Sequence, residues 1–246
     1  MELNELVHYC DARLEAAAFD DYCPNGLQVE AGQEVTQIVS GVSASLAQIE
    51  AAAEAGADLL LVHHGYFWKG EPMPLTGMKG RRVRHLMRSG ISLLAYHLPL
   101  DAHPELGNNA GLGRALGIQG QPLEPRSLVW GGELDAAMPG DGFAAMIARR
   151  LHREPLVLNA HRPISRVAWC TGAAQGYISQ AADAGYDAFI SGEVSEQTLH
   201  LARELDMAYF AAGHHATERF GVMALGAELQ QHFGLPHRFI DLDNPA

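Results

Sequence analysis

The sequence predicts an α/β protein made of two similar α/β domains related by duplication. Two observations carry that expectation. Apolar runs of strand length alternate with helical patterns in both halves of the chain, and the second half repeats the first in a common frame.

Taken in order, Leu3, Leu6, Val7, Cys10, Leu14 and Ala17 recur at helical spacing and predict an amphipathic helix over residues 2–18, before the polar turn Phe19-Asp20-Asp21. The Pro24-Asn25-Gly26 turn leads into Leu27-Gln28-Val29, and residues 37–42 read as a short strand. A helix over 45–55 is closed by Gly56 in the position a C-terminal cap favours. Leu59-Leu60-Leu61-Val62 then reads as a buried strand, broken abruptly by His63-His64-Gly65. A helix over 81–89, a strand over 91–96 and Asp101 just beyond it complete the first half. His97 precedes Leu98-Pro99, and the proline disfavours helix at Leu98, so His97 is expected to end that strand. Pro122, Pro125, Pro139, Pro155 and Pro163 punctuate the next stretch, which places the domain boundary near 120–125 and gives domains 1–123 and 124–246.

Setting Ile49 against Ile178 without gaps aligns Ala52 with Ala181, Ala53 with Ala182, Ala55 with Ala184, Gly56 with Gly185 and Asp58 with Asp187. The strand 59–62 then falls on 188–191, and His63 and His64 fall opposite Gly192 and Glu193. Each half follows with a helix, a strand and a polar cluster: Asp101 in one, His214 to Glu218 in the other. Duplicated domains facing one another across a pseudo-twofold axis would bring these strand ends together.

Composition narrows the function. A formal net charge of −12 argues against non-specific binding to a nucleic-acid backbone, which needs clustered cations. The one basic cluster, Lys79, Arg81, Arg82, Arg84 and Arg88, reads as a solvated helix face, with a local anion site as the sharper alternative. Cys10, Cys23 and Cys170 form no C-x-x-C pair and are expected to be buried apolar residues. The acidic N-terminus lacks an apolar signal region and no apolar run is long enough to span a bilayer, so a cytoplasmic location is expected. Gly111-Leu112-Gly113-Arg114-Ala115-Leu116-Gly117 spaces its last glycine wrongly for a dinucleotide fingerprint and lies in a helical pattern.

Imidazoles and carboxylates collected just beyond strands point to a metal centre between the two domains. Adjacent strand residues face opposite ways, so His63 and His64 suit two ions better than one, helped by a backbone bend at Gly65. His214 and Glu218 are i, i+4 neighbours, Glu218 is long enough to bridge two ions, and Asp101 supplies a second carboxylate. The expected ligands are therefore His63, His64, Asp101, His214 and Glu218, with His97 as a further ligand or as the orienter of one. Glu193 is the candidate general acid/base, weighed against a plain helix N-terminal charge. Mixed nitrogen and oxygen donors suit two divalent ions such as zinc, iron or manganese, and two such ions support hydrolysis. Tyr66-Phe67-Trp68-Lys69-Gly70 is an aromatic loop beside this site, suited to core packing or to stacking on a substrate ring.

Asn25-Gly26-Leu27-Gln28-Val29, Gly41-Val42-Ser43-Ala44-Ser45, Val62-His63-His64-Gly65, His97-Leu98-Pro99-Leu100-Asp101, Ser191-Gly192-Glu193 and Gly213-His214-His215-Ala216-Thr217-Glu218 together resemble the NIF-three-like dinuclear metal centre family, the GTP cyclohydrolase I type 2 homologues. The chain is similar to the short bacterial form that carries a radiation-resistance label, and it lacks the extra domain that longer members carry between the halves. The resemblance implies two similar α/β domains, a toroidal homohexamer and the same five metal ligands. For some members it also implies opening of the guanine imidazole ring of GTP with release of formate. The expected function is thus a dinuclear-metal hydrolase of a nucleotide or modified purine. A metal-dependent phosphoesterase or amidohydrolase and a non-enzymatic metal-binding scaffold are the alternatives.

Overall fold

A computed structural model describes residues 1–246. The first part of the chain forms α1 (Leu3–Arg13), β1 (Gly26–Val29), β2 (Ile38–Ser43), α2 (Leu46–Glu54), β3 (Leu59–His64), α3 (Gly77–Ser89), β4 (Ser92–Ala95) and α4 (Leu98–Ala102). It continues with α5 (Asn108–Leu116), β5 (Gln119–Pro122), β6 (Trp130–Met138), α6 (Gly140–Leu151), β7 (Leu156–Leu158) and β8 (Ile164–Trp169). The remainder is α7 (Ile178–Asp183), β9 (Ala188–Ser191), α8 (Glu196–Glu204), β10 (Ala208–Ala211), α9 (His214–Thr217), α10 (Arg219–Phe233) and β11 (His237–Phe239). No helix is long and apolar enough to cross a membrane.

The class is α/β with two sheets, and the chain divides into two compact units. One comprises Met1–Leu100 and Gly221–Asp243, the other Asp101–Phe220 and Asn244–Ala246. This differs from the single cut expected at 123. The chain leaves the first unit within α4 and returns within α10, so Asp101 belongs to the second unit. The return is fixed by β11, whose residues 237–239 pair in parallel with Ile38–Ser40 and complete the edge of the first sheet.

In the first unit the sheet order is β1-β4-β3-β2-β11, with only β1 antiparallel. Leu59, Leu60, Leu61 and Val62 are fully buried, as expected of a strand in the middle of a parallel sheet with both faces covered. Ser45 caps α2, its hydroxyl accepting the Gln48 N–H at 3.1 Å. The first helix stops at Arg13, earlier than its periodicity predicts, and Glu15 turns the chain with φ 49°. Leu98 is helical against expectation. Pro99 stands in the first turn of α4, where its missing N–H has no intrahelical partner to lose. Within the basic cluster Lys79 departs from a solvated face: it is buried, donates to the Pro72 carbonyl and pairs with Glu71 at 3.6 Å.

The second unit has the sheet order β5-β6-β8-β9-β10-β7, with β8, β9 and β10 parallel. Its core gathers Trp130, Phe143, Ile147, Trp169, Ile190 and Phe210. The proline-punctuated stretch is ordered here as β6, α6 and β7, so prolines mark the turns between elements instead of a linker. All three cysteines are buried and free, as expected.

The repeat holds at the level of single hydrogen bonds. Ile38 pairs with Leu59 across β2 and β3, and in the frame that aligns Ile49 with Ile178 the equivalent pair is Val167 with Ala188 across β8 and β9. Asp58 Oδ2 accepts the backbone N–H groups of Thr36 and Gln37 at 2.8 and 3.1 Å, and Asp187 Oδ2 accepts those of Ser165 and Arg166 at 2.9 and 2.8 Å. Gly56 and Gly185 both turn with positive φ, at 71° and 77°. Each aspartate therefore locks the start of one strand to the start of the next. Replacing Asp187 by Ala should destabilise the protein by about 1 kcal/mol, with a similar effect for Asp58→Ala, read from urea unfolding midpoints.

His237 packs against Gly226, where an added Cβ would lie 2.1 Å from its Nε2, and this nitrogen is 2.7 Å from Ser40 Oγ. Burial holds its pKa below the usual histidine value. The unfolded chain therefore takes up a proton at about pH 6.5 that the folded chain resists. Its contribution is fully present above that value and falls as the pH drops through it. A smaller loss of stability between pH 7.5 and 5.5 in His237→Gln than in the native protein is the expected result.

Candidate metal centre

In the first unit the site begins at the C-terminal end of β3. His63 and His64 both remain in the strand, yet their ring centroids lie only 4.6 Å apart, and His97, which follows β4, lies 5.0 and 5.9 Å from them. One ring nitrogen from each of His63, His64 and His97 falls within a group compact enough to hold a metal ion. The turn after His64 depends on Gly65, where a Cβ would lie 2.2 Å from Gln28 Oε1. That amide oxygen accepts the Tyr66 N–H at 2.6 Å, so Gln28 fixes the chain as it leaves the histidines.

Each imidazole in this group is held through Nδ1. His63 is fully buried and its Nδ1 lies 2.9 Å from the Tyr96 carbonyl. A carbonyl only accepts, so Nδ1 carries the proton and Nε2 the lone pair of the neutral ring. His64 Nδ1 is 3.0 Å from Ser43 Oγ. His97 Nδ1 donates to Asp21 Oδ1 at 2.7 Å. Burial alone would raise the Asp21 pKa. Hydrogen bonds from His97 and Asn25, the charge of His97 and the Leu98 N–H outweigh it and hold Asp21 at about 2. Asn25 locks the pair from both ends, giving its Nδ2 hydrogen to Asp21 Oδ2 at 2.9 Å and accepting the His97 N–H at 2.7 Å. Cys23 also lies near His97 and Asp21, but burial and the Asp21 charge push its thiol up to about 12, which makes it a poor thiolate donor.

In the second unit Asp101, His214 and Glu218 are brought together by α4, the loop after β8, and α9. Asp101 is 6 % exposed, and its Oδ1 accepts Asn108 Nδ2 at 2.8 Å and Thr171 Oγ1 at 3.3 Å. Glu218, 3 % exposed, stands just beyond the single helical turn 214–217, and its Oε2 is 3.0 Å from His214 Nε2. The expected i, i+4 pairing is therefore made, although Glu218 itself is no longer helical. Gly172 is required twice: its φ is 69°, and a Cβ there would sit 2.0 Å from Glu218 Oε1. Gly192, opposite His63 in the repeat, leaves room for the His214 backbone, which a Cβ would approach to 2.6 Å. Burial, then the charges of Asp101 and Glu218, push the Cys170 thiol well above its usual range, so both carboxylates direct negative potential at the same buried spot.

Glu193 is placed on His214. Its Oε1 lies 2.7 Å from His214 Nδ1, opposite the Glu218 contact on Nε2. Burial would lower the His214 pKa, but the hydrogen bonds and charges of Glu218 and then Glu193 outweigh it and raise it to about 9. The imidazole is thus a cation between two carboxylates, and an ion binding at Nε2 would displace that proton. Ser195 begins α8, with Thr198 Oγ1 accepting its N–H at 3.0 Å, so the Ser195-Glu196-Gln197 run is a helix start.

Imidazole nitrogens anchored through their other nitrogen, together with buried carboxylate oxygens, match the donor chemistry of a divalent ion. The anchors Asp21, Asn25, Ser43, Tyr96 and Asn108 escaped sequence reasoning. Asn25 and Ser43 left a trace, each as part of a motif without an assigned task.

A model of the family Duf34/NIF3 (NGG1p interacting factor 3) matches residues 1–245. A Pseudomonas aeruginosa protein named "GTP cyclohydrolase 1 type 2 homolog" is 57% identical over 248 residues, covering 99% of this chain and 98% of that one. Among solved structures, protein ybgI, described as of unknown function, superposes with a TM-score of 0.97 at 50% identity over the full length of both chains. The Thermus thermophilus protein TTHA1606 gives a TM-score of 0.90 at 36% identity, covering 100% of this chain and 99% of that one. With its fold, its strand-end histidines and its full-length match in agreement, the chain belongs to the Duf34/NIF3 family.

Proposed function

We propose that the protein is a hydrolase of a nucleotide or modified purine that works through two divalent metal ions held by His63, His64, Asp101, His214 and Glu218. The observation that carries this reading is that His63, His64 and His214 each engage an oxygen through Nδ1, so that Nε2 is the nitrogen each ring would offer to an ion. Glu218, with two carboxylate oxygens, would hold an ion through each. His97, clamped by Asp21 and Asn25, adds a donor or orients its neighbours. When bound, two divalent ions would supply an activated water and polarise the electrophile.

The protein's own part is to set geometry and charge. Asp101 and Glu218 offset the cationic charge in a buried setting, and the Thr171 and Asn108 donors keep Asp101 in one orientation. Glu193 holds His214 and, being partly exposed, is also the group assigned to proton transfer with the leaving group. The name carried by the relatives puts GTP first among candidate substrates, and the reaction proposed is opening of the guanine imidazole ring with release of formate. Assembly of six copies into a ring belongs to the same proposal, and the solution mass reads it.

Metal-loaded protein incubated with GTP should release formate, and with damaged purine nucleotides formate or another hydrolysis product, and Asp101→Ala should reduce the release to background. Absence of turnover across the purine panel would overturn the reading. Glu193→Gln, which removes the charge behind His214, should weaken metal affinity by about 10- to 100-fold in a chelator competition, with the fold intact by circular dichroism.

A further inference from the structure

We infer that Trp68, supported by Tyr22, is the recognition surface for a planar heteroaromatic ring, so that the molecules taken by the proposed centre are those carrying a base. This rests on the hydrolase reading and sharpens its substrate class. Trp68 stands beside the first-unit histidines, its ring centroid 4.9 Å from His97 at 84° and 6.0 Å from His64. The other two tryptophans, Trp130 and Trp169, are 5 % and 0 % exposed core residues, whereas Trp68 keeps part of its surface open.

The loop fixes this ring in place. The indole N–H donates to the Gly65 carbonyl at 3.2 Å, so its one polar atom is used internally and the π surface is what it offers outward. Glu71 Oε2 accepts the backbone N–H groups of Phe67 and Trp68 at 2.8 and 3.2 Å, holding Phe67 at φ 64°, a conformation a bulky residue rarely adopts. Phe67 is itself occupied, edge-on to Tyr66 and beneath the Lys79 ammonium at 5.4 Å, which leaves Trp68 as the ring presented at the site.

Tyr22 provides the second surface. It is 62 % exposed, its ring lies 6.4 Å from His97 at 63°, and its carbonyl accepts the Lys69 N–H at 2.6 Å, which ties the two aromatic segments together. Neither ring is buried, and both flank a group of polar donors. Aromatic rings pre-set beside polar groups bind a base by stacking on its π face while the polar groups address its edge.

The test follows tryptophan emission and calorimetry with guanosine, adenosine, cytidine and, as a ligand without a base, ribose 5-phosphate, on metal-loaded and metal-free protein. Nucleosides should quench emission and ribose 5-phosphate should not. Trp68→Phe should remove the quench while keeping affinity within a few-fold. Trp68→Ala should weaken nucleoside binding about five- to a hundred-fold, and Tyr22→Ala should weaken it less without lowering the melting temperature. Nucleoside binding that is absent, or unchanged in Trp68→Ala, overturns the inference, as does equal loss of nucleoside and ribose 5-phosphate binding. Trp68-dependent nucleoside binding without turnover leaves the recognition surface standing and removes the hydrolase reading. Formate release unaffected by Trp68→Ala does the reverse.

Discussion

The bond from histidine Nδ1 to a fixed oxygen is the interaction on which the site depends. An imidazole has two nitrogens and can rotate about χ2, so a histidine at a strand end is ambiguous until one nitrogen is engaged. Here Tyr96 O, Ser43 Oγ, Asp21 Oδ1 and Glu193 Oε1 each engage an Nδ1. These partners come from strand ends and turns that the sheets hold in register. The parallel pairing of β2, β3 and β4 puts Ser43, His64 and Tyr96 at the same end of the first sheet. The fold therefore reaches the chemistry through these anchors, and the tight glycines make room for them. Gly65 accommodates Gln28, Gly172 accommodates Glu218, and Gly192 accommodates the His214 backbone.

Much of this was legible in the sequence. The strand 59–62 with its histidine pair, the helix capped by Ser45, and the frame relating Asp58 to Asp187 all depend on local pattern or on self-similarity. These survive because both halves meet the same local constraints. What the sequence concealed depends on pairing between distant segments. The three residues of β11 show no alternation that would announce a strand, and their place beside β2 is a long-range fact. A turn Pro24-Asn25-Gly26 looks the same whether or not Asn25 reaches a histidine far along the chain. Glu193 could be recognised as unusual by its place in the repeat, but its His214 partner needed the parallel alignment of β9 with β10. The helix at Leu98 was missed because the rule for residues before proline disfavours helix and yields where a helix begins.

The duplication kept its scaffold and changed its strand ends. The aspartate bridges and positive-φ glycines recur in both units, while His63 and His64 correspond to Gly192 and Glu193. One copy thus offers imidazole where the other offers space and a carboxylate that steadies an imidazole from the following loop.

This divergence sorts formal charge between the units. The first contributes nitrogen donors that can be neutral, whereas the second buries Asp101 and Glu218 almost completely, beside a thiol that cannot relieve them. The His214 imidazole faces Glu218 at 3.0 Å and Glu193 at 2.7 Å. Buried carboxylates oppose folding unless hydrogen-bond donors or cations meet them. The two units therefore rest on different physics: the loops at 171–172 and 213–218 of the second depend on how two buried carboxylates are met, whereas the strands of the first depend on apolar burial.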